Sequence, residues 1–146
     1  MKQVLVFADT AAFLALANRR DALHQQAKEV RDLIVREGRT VLTTDWVLAE
    51  FLNAMQRPPA RSLAIRMVEQ LRQSRRTEIL PASAEDWQKG YDLYQSRLDK
   101  AWSLVDCISM RICQERSVQE VFTSDRNFEQ AGYVLLMAVR RKKPVR

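Results

Sequence analysis

Val4-Leu5-Val6-Phe7-Ala8 is a continuous apolar run, β-branched and aromatic, and too short for a helix. With no polar alternation, it suits a strand buried on both faces, as in a parallel sheet. It stops at Asp9-Thr10, so an acid stands where the strand ends.

The chain then alternates in the same manner. A short helix is expected over 11–17, then a loop at Asn18-Arg19-Arg20. Asp21 is placed to cap a second helix that runs to about Glu37, with Gly38 as its stop. Thr40-Val41-Leu42 reads as a second strand and leads into a helix over 45–56, which Arg57-Pro58-Pro59 terminates. An amphipathic helix follows over 60–74, then a strand at Glu78-Ile79-Leu80 and a helix over 84–97 capped by Ser83. Leu104, Ile108 and Ile112 form a helical stripe over 104–116. Glu120-Val121-Phe122 and Tyr133-Val134-Leu135-Leu136 read as the last two strands, with a helical turn over 128–132 between them. Short strands alternating with helices mean α/β, here a three-layer α/β/α arrangement around a parallel sheet of about five strands. Residues 1–136 read as one domain and 137–146 as a basic tail.

A chain of 146 residues is long enough for one domain with a real core. No apolar run approaches a bilayer span, and no signal-peptide pattern opens the chain, so a cytoplasmic location without membrane contact is expected. Cys107 and Cys113 are six residues apart on one expected helix and make no CxxC pair, so both are expected to be reduced. The single His24 has no ligand-spaced partner, which leaves a histidine zinc site or a Ser-His-Asp triad little support. The net charge is +6, and Arg140, Arg141, Lys142, Lys143 and Arg146 supply most of it. A second basic stretch holds Arg57, Arg61, Arg66, Arg72, Arg75 and Arg76 against only Glu69. Charge of this kind suits an anionic polymer such as nucleic acid, although a basic tail is as often merely solvated.

Four acids stand out. Asp9 and Asp125 each follow a strand, and ligands of such sheets bind beyond the carboxyl ends of the strands. Either one alone reads as a helix N-cap. Glu50 falls among Trp46, Val47 and Ala54 on its helix, with no lysine or arginine three or four residues away. A carboxylate among apolar neighbours needs a partner. Asp106 sits in Trp102-Ser103-Leu104-Val105-Asp106-Cys107-Ile108-Ser109, off the apolar stripe and on the flank of Ser109 and Cys113. Ser103-x-x-Asp106 is a capping-box pattern with aspartate in place of the usual Glu or Gln, so a purely structural role is open. Four converging carboxylates would repel one another, and a hard divalent cation resolves that repulsion. Oxygen-only ligands favour magnesium or manganese.

The residues Val6-Phe7-Ala8-Asp9-Thr10, Leu48-Ala49-Glu50-Phe51, the 102–109 stretch and Phe122-Thr123-Ser124-Asp125-Arg126-Asn127-Phe128, closed by Gly132-Tyr133, resemble the PIN-domain nucleases. More closely, they are similar to the VapC-type ribonuclease toxins of bacterial toxin–antitoxin pairs. The resemblance spans about 4–136. It implies that Asp9, Glu50, Asp106 and Asp125 are both the catalytic acids and the ligands of Mg2+ or Mn2+, with Thr10 and Ser109 as polar support at the rim. It also implies a metal-dependent endoribonuclease that dimerises and is silenced by a small antitoxin. RNA backbone contacts would fall to Arg57, Arg61, Arg140, Arg141, Lys142 and Lys143. Two departures stand out: Val105, where many relatives carry Thr, and Asn127, often histidine in similar sequences.

Other readings remain open at this point: a catalytically idle PIN-like interaction domain, or a PIN nuclease of RNA processing without an antitoxin. A haloacid-dehalogenase-like phosphatase would want a second Asp at the position of Ala11. Three glycines in the whole chain form no phosphate-cradling loop.

Overall fold

A computed structural model describes residues 4–138. Arg140, Arg141, Lys142 and Lys143 lie outside the described residues. Five strands, β1 (Leu5–Ala8), β2 (Thr40–Thr44), β3 (Thr77–Leu80), β4 (Glu120–Phe122) and β5 (Val134–Leu135), form one sheet. All pairings are parallel, in the order β3-β2-β1-β4-β5. The helices are α1 (Thr10–Ala17), α2 (His24–Arg36), α3 (Asp45–Ala54), α4 (Ala60–Gln73), α5 (Ala84–Ser96), α6 (Leu104–Glu115) and α7 (Arg126–Gln130). The expected α/β class and all five strands are present. Among the described residues no helix is long and apolar enough to cross a membrane.

The apolar opening run becomes the central strand. Val6, Phe7 and Ala8 are all but inaccessible, because β2 and β4 pair on either side and helices cover both faces. From β1 to β3 the chain moves outward in one direction, and from β3 to β4 it crosses back. With right-handed crossovers, that reversal puts α1–α4 on one face and α5–α6 on the other. The packing agrees: α1 touches α2 and α3, α3 touches α4, and α5 pairs with α6. The reversal makes a topological switch point between β1 and β4. Adjacent connections diverge there and leave a crevice at the carboxyl edge of the sheet.

Helix ends differ from the sequence expectation by up to two residues. Asp21 does not cap α2 itself. Its Oδ1 accepts from Leu23 N–H at 2.8 Å in a turn before the helix, which starts at His24. Thr44, Ser83, Ser103 and Asp125 do accept at helix starts through their side chains. Met137 is fully buried and its N–H donates to Thr123 O, so the packed chain continues one residue past 136. Cys107 and Cys113 are buried free thiols.

The α5–α6 pair depends on Gly90. A methyl group there would lie 2.2 Å from Ile108 Cγ1 and 2.8 Å from Ile108 Cα. The second atom is backbone, so a side-chain rotation cannot relieve the clash. Gly90→Ala is expected to cost about 1–3 kcal/mol through overpacking, against the small gain that Ala normally brings inside a helix. Urea unfolding checks this, and an alanine variant as stable as the parent would refute the close approach.

Candidate active site

All four acids line one cleft of roughly 550 Å³ at the switch point. Asp9 directly follows β1 and is almost fully buried. Its Oδ2 accepts from the Thr123 hydroxyl at 2.9 Å, and Thr123 directly follows β4. The same Thr123 oxygen accepts from Asp125 N–H at 3.1 Å, so one hydroxyl sets the positions of two acids. Asp125 in turn caps α7 by accepting from Asn127 N–H at 2.9 Å.

Glu50 arrives from α3, half-buried, and its Oε1 accepts from the Thr10 hydroxyl at 2.7 Å. The rings of Phe13 on α1 and Phe51 on α3 pack at 5.7 Å between centroids and join the two helices. Asp106 completes a reciprocal capping box with Ser103: its N–H donates to Ser103 Oγ at 3.0 Å, and its Oδ2 accepts from Ser103 N–H at 3.1 Å. The same Oδ2 accepts from Asn127 Nδ2 at 3.1 Å. Edge-on packing of Phe128 against Tyr133, together with the Tyr133 hydroxyl donating to Met110 O at 2.9 Å, ties the 125–133 segment to α6.

The side-chain hydrogen bonds at each carboxylate therefore fall on a single oxygen, and the other is left to accept. Among the described residues, no lysine or arginine lines the cleft. Burial, with Asp106 and Asp125 nearby, pushes the Asp9 carboxyl up to about 7 despite the Thr123 bond. Burial also raises Glu50, helped by the charges of Asp106 and Asp125. Asp106 is raised as well, first by burial and then by Asp125. The protein thus gathers negative charge and supplies hydroxyls and an amide, but no cation, to offset it.

That donor set fits a hard divalent ion. Among the described residues no three acids, cysteines or histidines are already gathered in the geometry of a metal site. Magnesium keeps several waters and needs only one or two direct carboxylates.

Other expected residues lie elsewhere. Ser109 shares the flank of Asp106, as the helical spacing implies, but it is fully buried beneath the cleft and not at its rim. Its Oγ has no hydrogen-bond partner among the described residues. Arg57 and Arg61, at the α3–α4 junction, are exposed and do not line the cleft. Thr123 and Asn127 are the positioning residues that the sequence reading did not assign.

The raised Asp9 carboxyl gives a pH dependence with a definite sign. The folded form holds its proton up to about pH 7, whereas an unfolded aspartate loses it near the ordinary value of 3.8. The metal-free protein is therefore favoured at low pH by this group and loses that advantage as pH rises through the interval. Asp9→Asn, measured in EDTA, should become increasingly more stable than the parent from pH 5 to pH 7, by up to about 1.4 kcal/mol per pH unit. Parallel stability curves for the two proteins would contradict it.

The sequence profile of the PIN domain matches residues 6–133. The 23S rRNA-specific endonuclease VapC20 of Mycobacterium tuberculosis is 27% identical over 133 residues, covering 89% of this chain and 96% of that protein. The crystal structure of M. tuberculosis VapC20, described as a sarcin–ricin loop cleaving toxin, superposes with a TM-score of 0.77 at 23% identity, covering 88% of this chain and 96% of the other. VapBC2 from Rickettsia felis, bound to a DNA fragment from its promoter, gives 0.67 at 13% identity, with 90% and 97% covered. FitAcB from Neisseria gonorrhoeae gives 0.60 at 17%, with 89% and 95% covered. The profile match takes in all four acids and all but the edges of the described fold: the chain belongs to the PIN domain family.

Proposed function

We propose that this chain is a divalent-metal-dependent endoribonuclease, the toxin of a toxin–antitoxin pair, that cuts RNA phosphodiesters at the Asp9–Glu50–Asp106–Asp125 cleft. The observation that carries the reading is four carboxylates lining one crevice at the sheet's switch point with no protein cation among them. Asp9, Glu50, Asp106 and Asp125 would hold Mg2+ or Mn2+. When bound, such an ion stabilises charge developing on the phosphate and makes water a better nucleophile at neutral pH. The chain's own part is orientation. Thr123 fixes Asp9 and the backbone of Asp125, Thr10 fixes Glu50, and Asn127 with Ser103 fixes Asp106.

The relation to VapC20 supports ribosomal RNA of the large subunit as the substrate class, with the sarcin–ricin loop as the first sequence to try. A small antitoxin as partner, and a homodimer as the working form, follow from the VapC-type resemblance. The idle-domain alternative has less support, because all four acids line the cleft and each is held by named donors.

Purified protein should cleave 23S rRNA with added magnesium or manganese and stop with EDTA. Asp9→Asn should lose most activity. Thr123→Val keeps every carboxylate but frees Asp9, and should cost about 10- to 100-fold, as removing a ligand's orienting partner usually does. Cleavage that survives both EDTA and Asp9→Asn would end the metal mechanism.

Deleting residues 140–146 tests the basic tail separately. If Arg140, Arg141, Lys142 and Lys143 bind the RNA backbone, the log–log salt dependence of binding should flatten by roughly 0.7 to 0.9 for each phosphate that the shortened chain no longer neutralises. An unchanged slope would assign the tail to solvent or to a protein partner.

A further inference from the structure

Beside the acid cleft lies a second groove, of about 730 Å³, within the size range of sites that hold small organic ligands. Its wall is aromatic. Trp87, Tyr91 and Tyr94 recur at i, i+4 and i+7 along one face of α5, and Trp102 closes the far side. Trp87 and Tyr91 are stacked, 5.0 Å between centroids and 23° apart. Trp87 is 41% exposed and Tyr94 49%, too open for rings that serve only a core. Two cations stand over the Trp102 ring, Arg97 Cζ at 5.0 Å and Lys100 Nζ at 5.8 Å from its centroid, and Arg97 is also paired with Asp99 at 3.0 Å. The two hollows meet: Ala101 and Ser103 line both.

We propose that this groove is the subsite for an unpaired RNA base flanking the scissile phosphate, with the Trp87 and Tyr94 rings as stacking platforms and Lys100 facing the backbone. The proposal rests on the endoribonuclease reading and adds to it where the substrate lies. Three observations favour RNA over a protein segment. The groove is continuous with the acids. Its Lys100 stands beside a cleft that no lysine or arginine lines among the described residues, and a phosphate chain entering that cleft needs positive charge beside it. Exposed aromatic faces accept any base, and proteins that bind single-stranded RNA use such faces with basic side chains. A base stacked here would be unpaired, so the groove selects loops over continuous duplex.

The experiment compares wild type with Trp87→Ala, Tyr94→Ala and Trp87→Phe. Binding of a sarcin–ricin-loop stem–loop is followed in EDTA, where no cleavage occurs. Cleavage of 23S rRNA is followed in magnesium over a range of RNA concentrations. Each alanine variant should weaken binding by roughly five- to a hundredfold, the usual effect of removing one base–ring stack. Each should raise the half-saturating RNA concentration more than it lowers the maximal rate, whereas Trp87→Phe should retain most of the affinity. Thermal melts check that the variants fold. If Trp87→Ala does not fold, Tyr94→Ala, at a more exposed position, decides alone. Alanine variants that bind and cleave like wild type overturn the subsite and leave the nuclease reading standing. So do variants that lose cleavage only because a wild-type dimer becomes monomeric in sedimentation, which would make the groove an interface between copies. A wild-type protein that cleaves no RNA in magnesium ends both.

Discussion

Negative charge held at the carboxyl edge of β1 and β4 is what the surrounding packing has to sustain. A buried aspartate at the end of the central strand, pushed up to about 7 by burial and by two neighbouring acids, is costly to a metal-free protein. Hydroxyls and an amide offset part of that cost, and the hydrophobic contacts prevent the acids from moving apart. Phe13 against Phe51 holds α1 to α3, and Phe128 with Tyr133 holds the α7 segment to α6. Loosening any of these would let the carboxylates separate into solvent. The same separation would dissolve the cleft, so local stability has been exchanged for function here.

Much of this was legible in the sequence, for reasons that can be stated residue by residue. The opening apolar run suits a strand buried on both faces, and it is the central one. The order of the strands was not legible, because an apolar run records burial and not which strand lies beside it. For Asp106 the sequence offered a capping acid or a member of the cluster. In the structure its Oδ2 accepts from Ser103 N–H, and the side chain also lines the cleft with the other three acids. Ser109 shows what helical spacing leaves out: it gives the angle around the helix but not the depth below the surface. Thr123 went unassigned because attention falls on acids after strands. A hydroxyl in the same position meets the same criterion, and here it organises two of them. Asn127 stood only as a departure from a common histidine, yet its amide donates to Asp106 as a neutral donor.

The placement of the positive charge is as informative as that of the acids. Arg39 is paired with Glu120, Arg97 with Asp99 and Arg116 with Glu78. Arg57 and Arg61 are exposed and off the cleft, and the aromatic groove that adjoins the acids carries Lys100. A lysine inside the cleft would have neutralised the acids and made an ion unnecessary. With none among the described residues, the bare cleft would, on the endoribonuclease reading, repel RNA phosphate for the same reason that its carboxylates repel each other. On that reading a divalent ion would remove both repulsions at once, and metal and RNA would strengthen each other's binding by the same factor, because the coupling between two ligands is reciprocal. On the endoribonuclease reading, the acids therefore do more than hold an ion for chemistry: they make occupancy by substrate conditional on occupancy by metal. The aromatic groove lies outside that condition, since its rings and cations can engage a base whatever the state of the acids.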